Sequence, residues 1–279
     1  MKKSNKAGIN FILYFYLAIF AASIIFPLLW TVLTSVKSNQ EFFANPWALT
    51  GKPVFGNYIR AWETANIGPY FLNSLHITVI VVAVEIIIGS MTSYALTRLK
   101  VKGSPFVTFL YMSGIFIPTI LCVVPMFLQL RRVHLLDSHL GLILLYIATN
   151  LPFTVYVLNG TFRTLPHELE EAAIIDGCGY FRVYWNVMLP LAKPGIATVT
   201  IFDFLSVWNE YVIARSVILT PNKQTLAVGM VSLMQATNHQ ADWTALFAGM
   251  VIVMVPTMII YLLFQKYITS GMTTGAIKG

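Results

Sequence analysis

Three carboxylates, Glu85, Asp203 and Glu210, lie within long apolar runs of the chain. An ionised carboxylate at the centre of a bilayer costs roughly 2.5–3.5 kcal/mol even on the milder insertion scales, so each must face a helix bundle or water. Asp203 and Glu210 are seven residues apart, close to two helical turns, and therefore lie nearly on one helix face. Trp208 and Asn209 sit beside that face. Carboxylate and amide oxygens accept hydroxyl hydrogens, and an indole face covers the apolar side of a pyranose. Such a stripe has the chemistry to line a path for a polyhydroxylated solute. The same groups would serve as hydrogen-bonded ties and caps between helices. That second reading fits Glu85 better, and for Asn209 and Glu210 the two stand level.

Covalent chemistry finds no support in the residues. No phosphate-binding loop is present: Gly51-Lys52-Pro53 lacks both the upstream glycine and the Ser/Thr that would hold phosphate and magnesium. His167-Glu168 begins like a zinc-protease helix, but Glu171 stands where the second histidine is needed. Cys122 and Cys178 have no metal-ligand spacing, and no nucleophile–base arrangement stands out. No catalytic residue, metal or cofactor is expected.

The second informative group is polar and lies between two apolar halves: Glu171-Ala172-Ala173, Asp176-Gly177, then Leu189-Pro190. Its residue types predict a short helix, a glycine stop, a second short helix over 180–188, and an end at the proline. Pro166 suits a first helical turn, and Glu168, Glu170 and Glu171 favour the positive end of the helix dipole. Ala172 and Ala173 add no bulk, so another surface can approach the backbone closely. Phe181, Tyr184 and Trp185 form an aromatic face, set either against a partner or against the chain's own helices and the bilayer surface.

The elements that must position these groups are membrane spans. Of 279 residues, 57% are hydrophobic and 10% charged, with a mean hydropathy of +0.73; an ordinary globular chain carries about 25% charged residues. Crossing the hydrocarbon core takes about 20 apolar residues, and six segments qualify: 11–36, 75–96, 106–130, 140–158, 195–214 and 245–264. The first is too long for a cleavable signal. The fold expected is all-α and polytopic, with residues 1–74 as an N-terminal span and outer segment and 75–279 as the core. With the N-terminus inside, eleven Lys/Arg fall on the cytoplasmic side and seven outside, which puts both termini and the 163–193 loop in the cytoplasm. The net charge of +7 is thereby read as topology rather than as a nucleic-acid footprint.

Glu171-Ala172-Ala173, Gly177 and Leu189-Pro190 resemble the EAA loop of bacterial ABC-importer membrane subunits, with Val187 where that family usually has isoleucine. Leu165-Pro166 with Glu168 and Glu170, together with Trp208-Asn209-Glu210-Tyr211, are similar to the carbohydrate branch. The tail from Gly271 to Gly279 resembles the end of the shorter, maltose-type subunit. The resemblance implies that Glu171, Ala172, Ala173, Asp176, Gly177, Leu189 and Pro190 couple to a cytoplasmic ATPase dimer. It further implies a second homologous membrane subunit, an extracytoplasmic solute-binding protein, a carbohydrate substrate and a bacterial cell-membrane location. Asp203, Trp208, Asn209 and Glu210 become the candidate translocation path.

Of the two outer segments, 37–74 is expected to form interfacial helices or packing under the outer loop; the resemblance implies that such loops contact the binding protein, and an ordinary hydrophilic loop is the other reading of 215–244. Gln235, Thr237, Asn238, His239, Gln240 and Asp242 lie in the second, and Phe42, Trp47, Tyr58 and Trp62 in the first. The rival readings are the same importer serving a non-sugar solute, an ion-coupled transporter working alone through Glu85, Asp203 and Glu210, and a purely structural membrane scaffold.

Overall fold

The computed structural model describes residues 2–64, 66–99, 101–240 and 242–276, with side chains described for 10–63, 66–99, 101–235 and 242–266. Lys100 and residues 277–279 of the tail lie outside the described residues, as do the side chains of 236–240 and of 267–276. Among the described residues every regular element is helical. In chain order they are α1 (Lys2–Ser35), α2 (Asn39–Ala44), α3 (Gly56–Ile59), α4 (Ile67–Arg98), α5 (Ser104–Ile115), α6 (Val123–Arg132) and α7 (His139–Thr164). There follow α8 (His167–Ile175), α9 (Tyr180–Val183), α10 (Leu189–Leu191), α11 (Lys193–Trp208), α12 (Val212–Val217), α13 (Leu226–Gln240) and α14 (Trp243–Ala276).

Four of the expected spans are unbroken apolar helices: Asn10–Ser35, Ile67–Arg98, His139–Thr164 and Trp243–Lys266. The third expected span, 106–130, is bent by 92° between Ser104–Ile115 and Thr119–Arg132. Pro118 accounts for the break, because its ring fixes φ, removes an N–H and disfavours helix at Ile117. The fifth, expected at 195–214, ends as α11 at Trp208 and resumes as α12 at Val212. At about 1.5 Å per residue, the 16 residues of α11 reach only about 24 Å, short of a roughly 30 Å hydrocarbon core.

The chain forms two compact units, Met1–Gly68 with Met230–Val255 and Pro69–Gly229 with Pro256–Gly279. In the first, Ser38 and Glu41 make a reciprocal capping box at the start of α2. The Lys37 ammonium is buried and donates to the Pro46 carbonyl at 2.7 Å, which also accepts from the Trp30 indole at 3.1 Å. Trp30 meets Phe247 edge-on at 5.1 Å, and Phe42 lies 6.4 Å from Trp243. Phe42 and Trp30 thus pack under the outer segment, whereas Phe43 and Trp47 stay exposed. Arg60 reaches Asp242 at 3.1 Å, and the Asp242 carboxylate also accepts from Asn39 at 2.9 Å.

The second unit holds two apolar cores. One gathers Ile77 and Val81 of α4, Leu142 and Tyr146 of α7, Val207 of α11 and Val217 of α12. The other gathers Tyr94 of α4, Leu158 and Phe162 of α7, Val183, Tyr184 and Met188 of the polar loop, and Val199 of α11. α11 and α7 touch at Gly195, where an added Cβ would fall 2.1 Å from Thr161 Oγ1. Only glycine permits that approach, the usual role of small residues where membrane helices cross.

Candidate functional site

The polar loop forms a helical foot. α8 ends in a Schellman turn: Gly177 N–H bonds the Ile174 carbonyl at 3.0 Å and Cys178 N–H bonds the Ala173 carbonyl at 3.0 Å. Gly177 has φ +82, the left-handed region that glycine enters without strain. The helix divides its two adjacent glutamates, with Glu170 buried and Glu171 exposed. Glu171, Ala172, Asp176, Gly177 and Pro190 are exposed, Ala173 and Leu189 half-buried, and Ile175 presents 85% of its surface.

The second part of the foot differs from expectation. The helical run continues through Pro190 to Leu191, with a π turn over Tyr184–Met188. Leu189 N–H reaches the Tyr184 carbonyl five residues back, and Pro190 occupies the first turn of α10, where no N–H is required. The break falls instead at Ala192, where Tyr180–Leu191 and Lys193–Trp208 meet at 75°. The aromatic face also divides. Phe181 and Trp185 remain exposed, while Tyr184 is 3% exposed, and its hydroxyl shares a 2.8 Å hydrogen bond with Ser90.

The candidate path residues are spread by the break after α11. Asp203 is buried and accepts a hydrogen bond from Thr154 at 2.8 Å. Trp208 is 2% exposed, stacked on Phe204 at 5.5 Å and edge-on to Phe71 at 5.5 Å. Glu210 restarts the helix: its carboxylate accepts from the backbone N–H groups of Ile213 at 2.8 Å and Ala214 at 2.9 Å, the free donors of the first turn of α12. Asn209 alone of the four is exposed, its amide donating to the Leu205 carbonyl at 2.9 Å. Glu85 is fully buried, with the side chains of Asp203 and Asn150 as its polar neighbours.

Residues that the sequence reading passed over join Asn209 on the surface. Ser206 is exposed and donates to Asn150 of α7 at 3.2 Å. Ser206, Asn209 and Asn150 form a polar strip on helices otherwise apolar, and the three-residue interval from 206 to 209 is the signal that marks it. Beside it, a cavity of about 170 Å³ lies between the two helix breaks, lined by Thr119, Ile120, Val123, Glu210, Val212 and Ile213.

Apolar helices of spanning length, two of them broken, and a polar helical loop between spans define a polytopic helical membrane protein. Residues 85–274 match the family described as "Binding-protein-dependent transport system inner membrane component", and the chain belongs to that family. It is 37% identical to the diacetylchitobiose uptake system permease protein NgcG of Streptomyces coelicolor, over 94% of this chain and 87% of that protein. It is 31% identical to the melibiose/raffinose/stachyose import permease protein MelC of Bacillus subtilis, over 94% of each. The fold is shared with a chain of a bacterial ABC transporter involved in the import of the acidic polysaccharide alginate. There the TM-score is 0.83 at 23% identity, covering 96% of this chain and 98% of that one.

Proposed function

We propose that this chain is one of two related membrane subunits of a bacterial ATP-binding-cassette importer whose solute is a mono- or oligosaccharide. The sugar assignment is supported by relatives named for the uptake of diacetylchitobiose and of melibiose, raffinose and stachyose. The observation that carries the mechanism is the exposed run Glu171–Gly177, held in a fixed Schellman turn beyond the ends of the spans. An ATPase dimer docks on Glu171, Ala172, Ala173, Asp176 and Gly177, with Leu189 and Pro190 closing the loop over 163–193. Nucleotide-driven movement of the ATPases displaces this foot, and the helix bundles alternate between outward and inward openings. Hydrolysis belongs to the partner chains.

The core over 75–279 then forms the pathway with a second homologous membrane subunit, while 1–74 supplies the first span and an outer segment. Both termini face the cytoplasm. A solute-binding protein delivers the sugar from outside. Asn209, with Ser206 and Asn150, supplies the exposed hydrogen-bonding strip along the path, and Asp203, Trp208 and Glu210 hold the helices that carry it. The maltose-like tail fits the shorter membrane subunit of such a pair.

Co-purification of the assembled complex tests this reading, with wild type compared against Glu171→Lys and Gly177→Pro. Loss of the ATPase chains with the membrane subunits intact is the expected result. Unchanged association and unchanged hydrolysis would remove the coupling role from the foot.

A further inference from the structure

Arg98, the last residue of α4, is 8% exposed and spends its donors on two different structures. Its Nε donates to the Phe162 carbonyl at 3.1 Å, and its Nη2 to the carbonyls of Phe162 and Leu165. These carbonyls lie at the end of α7, where a cation also suits the helix dipole, and that of Phe162 accepts from Leu165 N–H as well. Its Nη1 lies 2.8 Å from Nδ1 of His167 and 3.9 Å from a carboxylate oxygen of Glu170, both on α8. A guanidinium only donates, so Nδ1 accepts and the His167 ring proton sits on Nε2. Tyr94, one turn earlier on α4, donates to the other Glu170 oxygen at 3.0 Å. One turn earlier again, Ser90 bonds Tyr184 of the foot's second helix at 2.8 Å. Ser90, Tyr94 and Arg98 are spaced by four residues and share one face of α4.

We infer that Arg98 and Tyr94, gripping Glu170 and His167, are positioning residues that lock the foot to the cytoplasmic end of α4. Displacement of α8 is then passed to that span instead of being lost by bending at Leu165. The inference rests on the coupling role proposed for the foot. It assigns transmission to residues that face away from the exposed docking side, since Glu170 is buried behind Glu171.

The test is a distance measurement between spin labels at Glu168→Cys, exposed on α8 outside the docking run, and Lys102→Cys just beyond α4, with Cys122 and Cys178 replaced by serine. It is made in the complete complex, nucleotide-free and with Mg-ATP on a hydrolysis-deficient ATPase. The clamp predicts a distance that stays within about 2 Å on ATP binding, the scale of a packed-helix adjustment. Tyr94→Phe and Glu170→Gln, which keep shape and packing, should match wild type without nucleotide. With ATP their distance should shift by more than about 3 Å or their distribution broaden about twofold. Arg98→Lys, which keeps charge but loses the fork, should do the same. A purely structural tie would alter both states or neither. The inference is overturned if the wild-type distance itself changes with ATP, or if the variants respond as wild type does. Glu171→Lys separates the two readings: if it leaves both ATPase association and hydrolysis unchanged, the coupling role itself fails, whatever the label distances.

Discussion

The Tyr146 hydroxyl donates to the Glu210 carboxylate at 2.8 Å, joining the middle of α7 to the break between α11 and α12. That carboxylate also caps two N–H groups of α12, so one side chain starts that helix and ties it to α7. A cap of this kind is worth about 1 kcal/mol, and a buried hydroxyl left unpaired costs about 1–3 kcal/mol. Glu210→Ala should therefore lower the stability of the purified subunit by roughly 2–4 kcal/mol. Tyr146→Phe should lower it by about 1 kcal/mol, and Glu210→Gln should fall between. Thermal unfolding in detergent checks the order. A double-mutant cycle between the two sites should give a clearly non-zero coupling energy.

Trp208 and Asn209 are neighbours in sequence with opposite surroundings, and their variants should separate stability from transport. Trp208→Ala empties a buried site between Phe204 and Phe71 and should cost about 3–5 kcal/mol, seen as lost expression of folded subunit. Asn209→Leu and Ser206→Leu change an exposed strip, so expression and assembly should hold. Uptake in cells carrying the complete importer should fall by about tenfold, the effect of losing one hydrogen bond of roughly 1.4 kcal/mol to solute. Normal uptake by both leucine variants would take this strip off the path.

The difference between these two residues was not legible in the sequence. A seven-residue interval placed Asp203 and Glu210 on one face only if the helix ran unbroken through 209–211, and it does not. The break at Pro118 was written in the residue type, yet the apolar run on either side masked it. The turn at Gly177 was fully legible, because a glycine stop is a local backbone property. The clamp on Arg98 and the tie from Tyr146 depend on partners more than 60 residues away, and no local pattern encodes them. Four of the six expected segments stand as unbroken helices because hydropathy alone sets them, whereas the bends that break the other two are set by single residues.

At Gly177 an added Cβ would meet nothing within 4 Å, so substitution acts through the backbone alone. Holding a residue with a side chain at φ +82 costs about 1–2 kcal/mol. Gly177→Ala should weaken ATPase association by about fivefold or more, and Gly177→Asn by less, because asparagine tolerates the left-handed region. Gly177→Pro also removes the N–H that bonds Ile174, and should abolish association. Titration of the purified ATPase against the reconstituted membrane subunits ranks the three.

Asp137 has the clearest pH signature outside the spans. Burial raises its carboxyl pKa, but the Thr220 hydroxyl, the N–H groups of Thr220 and Leu219, and Lys223 outweigh it and hold the group below its ordinary 3.8. Its oxygens accept from Leu219 N at 2.8 Å and Thr220 N at 2.9 Å, pinning the turn after α6 to the segment that follows α12. A carboxyl whose folded pKa is depressed contributes its stability in full above the unfolded value. That contribution is lost as the pH falls through and below about 4. The wild-type melting temperature should accordingly be flat from pH 7 to 5 and decline below about pH 4. Asp137→Asn should start lower at pH 7 and decline less steeply, since it cannot form the Lys223 ion pair and has no proton to take up. Parallel slopes for the two proteins would mean that some other carboxylate governs the acid limb, and Asp242, held low by Arg60 and Asn39 against its own burial, is the next to replace.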